Sequence, residues 1–198
     1  FATQADYDTL LFDFSGNGKS EGNFENITLS GQIDDLNCAI DWCKEQGAST
    51  IVTMGRSFGG TTAICQAALD TRVSGVCTLA APARLVKRFS ELMDEDPDDP
   101  DKYILPGDEG ILYINKTYFE DIAKYDVPLL ASQIAPRSLL IIQGTKDDLI
   151  PQEDARLINE AANEPKELIF IEGANHQFEN YYDQVWDICL RWLKTFKE

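Results

Sequence analysis

The sequence predicts an α/β domain: a mostly parallel sheet flanked by helices. Three observations predict it. Short apolar runs recur at residues 50–54, 73–79, 138–142 and 167–171, the intervening segments carry apolar residues at helical spacing, and polar clusters follow the strands. Strands separated by helices pair in parallel, because a crossover is needed to return to the same edge.

Taken in order, Asp8-Thr9-Leu10-Leu11-Phe12-Asp13-Phe14 is a strand candidate, followed by a turn at Ser15-Gly16-Asn17-Gly18-Lys19-Ser20-Glu21-Gly22. The Gly-Lys-Ser ending imitates a phosphate loop, but the glycine that such a loop needs five places before Gly18 is Asp13, so that reading fails. From about Ser30 to Gln46, Ile33, Leu36, Ile40 and Cys43 form one helical stripe, ended by Gly47. The apolar run 50–54 leads into Gly55-Arg56-Ser57-Phe58-Gly59-Gly60, read as strand, sharp turn and helix, with Gly55 and Gly59 allowing close approach. Ala63, Ile64, Ala67 and Ala68 pack the helix that follows, and the strand 73–79 comes next.

Between about 82 and 136 the alternation breaks, and this stretch reads as a lid, with short helices at Leu85 to Met93 and Tyr118 to Tyr125. Its block Asp94-Glu95-Asp96-Pro97-Asp98-Asp99-Pro100-Asp101 resembles a calcium loop only in charge. Position six of such a loop is glycine and here is Asp99, and position twelve is glutamate and here is Leu105. The block reads as a solvated acidic loop. The strand pattern resumes at 138–142, then come a polar loop to Pro151, a helix from about 152 to 163, the strand 167–171, the loop Glu172-Gly173-Ala174-Asn175-His176-Gln177-Phe178, and a last helix with Val185, Ile188, Cys189, Trp192 and Phe196 on one face.

Composition excludes several functions. The 198 residues suit one domain, and 43% hydrophobic residues can build a core. With 17 Lys and Arg against 34 Asp and Glu, the net charge of −17 disfavours nucleic acid and anionic membranes as partners. The apolar runs are too short to span a membrane, and Phe1-Ala2-Thr3-Gln4 leads into acidic residues rather than a targeting pattern. Five cysteines, Cys38, Cys43, Cys65, Cys77 and Cys189, are odd in number and lack C-x-x-C spacing, which reads as buried reduced thiols in a cytoplasmic protein.

The polar clusters make chemical sense together. Ser57, Asp147 and His176 each lie just beyond the carboxyl end of a predicted strand, the edge where open α/β sheets place their sites. Serine needs a base to become a nucleophile, and His176, the only histidine, can take its proton and return it to the leaving group. A carboxylate on the far ring nitrogen fixes the tautomer and stabilises the imidazolium; Asp147 is assigned that role, with its neighbour Asp148 as the alternative. The backbone N–H of Phe58 is placed to face an oxyanion. One histidine and no cysteine cluster leave no metal site, and the chemistry needs no cofactor.

These motifs together resemble the α/β-hydrolase superfamily, over nearly all of the chain except the lid. Phe12 to Gly22 resembles the family's strand and turn before the first large helix, Gly55 to Gly59 its nucleophile turn, Gly144 to Pro151 its acid loop, and Gly173-Ala174-Asn175-His176 its histidine loop. Asn17 stands where many members carry histidine. The resemblance implies one domain over 1–198 and a serine hydrolase that cleaves a carboxylic ester of a small-molecule acyl substrate through an acyl-enzyme. Amide or peptide hydrolysis by the same triad is the alternative, as is a non-catalytic ligand-binding protein. Within the superfamily, soluble esterases and serine aminopeptidase-like hydrolases are most similar. The resemblance also implies that the family's N-terminal strands, one of which lies between residues 8–14 and 50–54, are not in this chain and are supplied by a missing N-terminal segment or another chain, together with a second oxyanion donor.

Overall fold

A computed structural model describes residues 6–107 and 110–196, so the reading of Phe1 to Gln4 lies outside the described residues. In chain order the main elements are α1 (Leu29–Glu45), β1 (Val52–Arg56), α2 (Phe58–Leu69), β2 (Gly75–Leu79), α3 (Leu85–Leu92), β3 (Asp94–Glu95), β4 (Lys102–Gly107), β5 (Gly110–Asn115), α4 (Thr117–Ile122), α5 (Val127–Ser132), β6 (Ser138–Gly144), α6 (Gln152–Ala161), β7 (Lys166–Ile171) and α7 (Tyr182–Lys194). Four strands form a wholly parallel sheet in the order β1-β2-β6-β7.

Both faces of that sheet are covered, and strand periodicity shows it. Leu139 and Ile141 of β6 enter one core with Ile33 and Ile40 of α1, Ile64 of α2 and Ile158 of α6. Leu140 and Ile142 enter the opposite core with Val185, Ile188 and Trp192 of α7. Alternate residues of one strand thus serve two layers, as a period of two requires. Thr28 opens α1 by accepting a hydrogen bond from the Gly31 N–H at 2.9 Å, and Gly47, at φ 90°, follows its end.

The stretch from 82 to 136 holds the two expected short helices, α3 and α4, but also a second sheet, β3-β4-β5, which is antiparallel. Tyr103 pairs with Ile114 and Leu105 with Leu112 in its hairpin. Pro106 inside β4 lacks the N–H a central strand needs, which is why the run does not read as a strand. The acidic block enters this sheet through Asp94 and Glu95 and otherwise forms the turn before β4.

Residues 8–14 correct an expectation. They form no strand, and Leu11 is 88% exposed. Alternating apolar residues become a strand only when a neighbour accepts and donates along the backbone. Among the described residues β1 has no partner on its outer edge, so this segment and β1 do not pair. The predicted turn at 15–22 is present, closed by Gly16 N–H to the Glu21 carbonyl at 2.8 Å and tied to α1 by Ser15 N–H to Asp35 Oδ2 at 2.7 Å. The cysteines are free, with Cys65, Cys77 and Cys189 buried and Cys43 half-buried; Cys38 is exposed on α1, against the expectation. Burial pushes the Cys65 thiol up to about 12. No helix among the described residues is long and apolar enough to cross a membrane.

The passage from β1 to α2 rests on a contact that permits no side chain. A Cβ at Gly55 would lie 2.2 Å from the Gly59 carbonyl oxygen, whereas a Cβ at Gly59 would meet nothing within 4 Å. Only the first of the two glycines is needed for close approach. Gly55→Ala is expected to lower unfolding free energy by about 3 kcal/mol, because backbone must move. Gly59→Ala should change it by less than about 1 kcal/mol, toward greater stability, since alanine suits a helix better. Urea denaturation of both variants checks this; equal losses would contradict it.

Candidate active site

Ser57 occupies the single residue between β1 and α2, at φ 53° and ψ −128°. For a residue with a Cβ this conformation costs on the order of 1–3 kcal/mol, and the surroundings hold it there. Its N–H donates to the Leu79 carbonyl at 2.8 Å, and its own carbonyl accepts from Gly60 at 2.9 Å and Thr61 at 3.2 Å. The Ser57 hydroxyl has no hydrogen-bond partner among the described residues. The Phe58 N–H opens α2 and likewise meets no carbonyl among the described residues, so it is one of the unpaired donors at the positive end of the helix.

Phe58 is itself held in place. Its ring packs edge-on against Phe89 of α3, with centroids 5.4 Å apart, and tilted against Tyr118 of α4 at 5.8 Å, while Phe89 and Tyr118 meet at 5.2 Å. Sequence periodicity placed short helices here but gave no sign that their rings converge on the residue after Ser57.

The acid and histidine loops leave β6 and β7 side by side. Asp147 Oδ2 lies 2.9 Å from His176 Nδ1. Its Oδ1 accepts from the Leu149 N–H at 3.0 Å and the Ile150 N–H at 2.8 Å, and Gln143 Nε2 donates to Oδ2 at 3.0 Å. The loops are tied by Lys146 N–H to the Ala174 carbonyl at 2.9 Å and by Gly173 N–H to Thr145 Oγ1 at 2.8 Å. A Cβ at Gly144 would lie 2.4 Å from the Ala174 carbonyl oxygen, so glycine is required where they approach. Phe178, buried at φ 58°, anchors the far side of the histidine loop in the α7 core.

Of the two candidate acids, Asp147 meets the histidine; Asp148 is exposed and has no such contact. His176 is buried, and its Nε2 has no partner among the described residues. With Nδ1 engaged by a carboxylate, Nε2 is the nitrogen left to exchange a proton. The nucleophile turn and the histidine loop adjoin: Arg56 Nη1 donates to Gln177 Oε1, and these are the neighbours of Ser57 and His176. Gln143 and the Arg56–Gln177 bond were not read from the sequence. A signal for the first exists, a glutamine at an inward-facing position closing the apolar run Leu139 to Ile142.

The model of the X-Pro dipeptidyl-peptidase (S15) family matches residues 5–93. The chain is 24% identical to the protein YfhR of Salmonella typhimurium over 200 residues, covering 94% of this chain and 61% of YfhR. It is 27% identical to the polyketide transferase grgF of a Penicillium species over 207 residues, covering 84% of this chain and 70% of that protein. The structure superposes on Est1E from Butyrivibrio proteoclasticus, solved with ferulic acid bound, with a TM-score of 0.76 and 22% identity over 93% of this chain and 74% of that one. The chain therefore spans about 61% of the length of YfhR.

The carboxylate geometry has a consequence for pH. Burial alone would raise the Asp147 pKa, but the hydrogen bonds from His176, Ile150 and Gln143, with the charge of His176, outweigh it and hold the group below the ordinary carboxylate value. A folded-state pKa below the unfolded value of about 3.9 adds stability that is present above that value and lost as pH falls through the folded one. The stability that the lowered Asp147 pKa contributes, read as the difference between the native chain and Asp147→Asn, should therefore shrink as pH falls below about 4. Urea unfolding between about pH 5 and pH 3 measures it, and a difference that grows across that range would contradict the lowered pKa.

Proposed function

The chain has the α/β-hydrolase fold, and we propose that it is a serine hydrolase that cleaves a carboxylic ester of a small acyl substrate. The observation that carries this reading is the 2.9 Å bond between Asp147 and His176, on a loop bonded to the turn that bears Ser57. Ser57 attacks the acyl carbonyl while His176 Nε2 takes its proton. The negative charge that develops on the carbonyl oxygen is met by the Phe58 N–H. His176 then returns the proton to the leaving alcohol, and the acyl group rests on Ser57 Oγ. Water, deprotonated by His176, releases the acid in the second half of the cycle. Asp147 holds the imidazole as the Nδ1–H tautomer and balances its charge when protonated.

A second oxyanion donor comes, on this reading, from outside the described residues, with a strand that pairs on the open edge of β1. The stretch 82–136 acts as a lid over the acyl pocket. The S15 family match favours a second reading, cleavage of a peptide by the same triad, since a triad of this type serves both bonds.

A fluorophosphonate probe followed by turnover of a p-nitrophenyl ester and a prolyl p-nitroanilide tests the reading. Labelling is expected in the native chain and absent in Ser57→Ala, and the variant should lose at least about 10⁴-fold in kcat. Ester turnover well above anilide turnover supports the esterase; the reverse order supports the peptidase. Absence of labelling and of turnover would leave a ligand-binding protein.

A further inference from the structure

Gln143 closes the apolar run of β6 and is wholly buried. Its Nε2 lies 3.0 Å from Asp147 Oδ2, 3.1 Å from the Ile150 carbonyl oxygen and 3.4 Å from that of Gly144. All three are acceptors, which dictates that the amide nitrogen points to this end. Its oxygen is thereby turned to the other side, where it is buried without a hydrogen-bond partner among the described residues. An aliphatic side chain would leave no orphaned oxygen at this position. The amide is offset only by what its nitrogen does.

We infer that Gln143 is a positioning residue of the triad, setting the proton affinity of His176 through Asp147. The inference rests on the proposed pairing of those two residues. Asp147 Oδ2 is shared by two donors, His176 Nδ1 and Gln143 Nε2, while two backbone N–H groups take Oδ1. Four donors fix the carboxylate in rotation. The same Gln143 nitrogen reaches the Ile150 carbonyl, whose N–H binds Oδ1, so amide, carboxylate and loop brace one another.

The donor also weakens the oxygen on which it acts. Electron density drawn toward Gln143 is not available to the imidazolium, so the charged form of His176 is less stabilised than by a carboxylate without that bond. Charged groups on the surrounding elements are engaged or turned outward: Asp154 of α6 pairs with Arg84, Arg56 with Gln177, and Glu179 with Asn175, while Lys146, Asp148, Glu153 and Glu172 are exposed. Gln143 thus supplies an uncharged side-chain donor to the carboxylate, beside the two backbone N–H groups on Oδ1.

The single histidine of the sequence makes the test direct. The ring resonances of His176, assigned by their loss in His176→Asn, are followed by NMR across pH in the native chain, Gln143→Met and Gln143→Leu. Without the amide donor, the midpoint should rise by about half to one unit, roughly a three- to tenfold gain in proton affinity. The acid limb of kcat/KM should move upward with it. A midpoint that is unchanged or lower in a folded variant overturns the inference, as would be expected were Gln143 only filling space.

Where a variant does not fold, the native chain still decides. One Gln143 carboxamide proton should shift as His176 titrates, and a resonance indifferent to that titration overturns the inference. Failure of the native chain to react with a fluorophosphonate would count against the hydrolase reading alone, since the titration of His176 needs no turnover.

Discussion

The structure depends on the approach of β1 to α2, where Gly55 lies against the Gly59 carbonyl with no room for a side chain. Because the helix begins one residue after the strand ends, Ser57 must take a positive φ, and no longer connection absorbs the turn. The strain is sustained by bonds on both sides of the residue. Leu79 at the end of β2 accepts its N–H, and the first turn of α2 donates to its carbonyl. The serine is thus fixed by neighbours in the sheet and helix rather than by its own side chain, whose hydroxyl has no partner among the described residues. In the role proposed for it, the side chain gains from that arrangement, since a rigid scaffold presents it at little entropic cost.

The parallel sheet extends the same logic to the other two residues. Since β1, β6 and β7 run in one direction, everything that leaves their carboxyl ends meets on one edge. The Asp147 carboxylate is buried there in a strongly acidic chain, yet among the described residues no lysine or arginine contacts it. Dipolar donors hold its charge instead, beside the His176 ring. A fixed cation beside the carboxylate would have been a poorer design, because it would oppose the positive charge on His176.

Elements that carry their own periodicity were legible in the sequence. The stripe Ile33, Leu36, Ile40 and Cys43 became α1, the face led by Val185 and Ile188 became α7, and the apolar runs became β1, β2, β6 and β7 within two residues. The order of Ser57, Asp147 and His176 on loops after strands was legible because topology, not packing, puts those loops at one edge of the sheet. What depends on a partner was not. Residues 8–14 carry a strand pattern without a ladder to join. The β4–β5 hairpin was hidden by Pro106 and by the acidic block before it. The difference between Gly55 and Gly59 depends on which backbone oxygen lies opposite, and the contact of Gln143 with Asp147 on how far the chain turns in four residues.

The stretch between β2 and β6 divides in its mechanics. At its base Arg84 reaches the buried Asp154 of α6 at 2.7 Å, and Asp121 of α4 accepts from the Ser30 N–H of α1 at 2.9 Å. Between these anchors Phe89 and Tyr118 close on Phe58, so this part buttresses the residue that follows Ser57. The β4–β5 hairpin stands farther out, with Ile111, Leu112 and Tyr113 exposed on its outer strand. Those three side chains lie outside the core, whereas Tyr103 and Ile114 of the same hairpin pack into it and Phe89 and Tyr118 touch Phe58, the residue after Ser57.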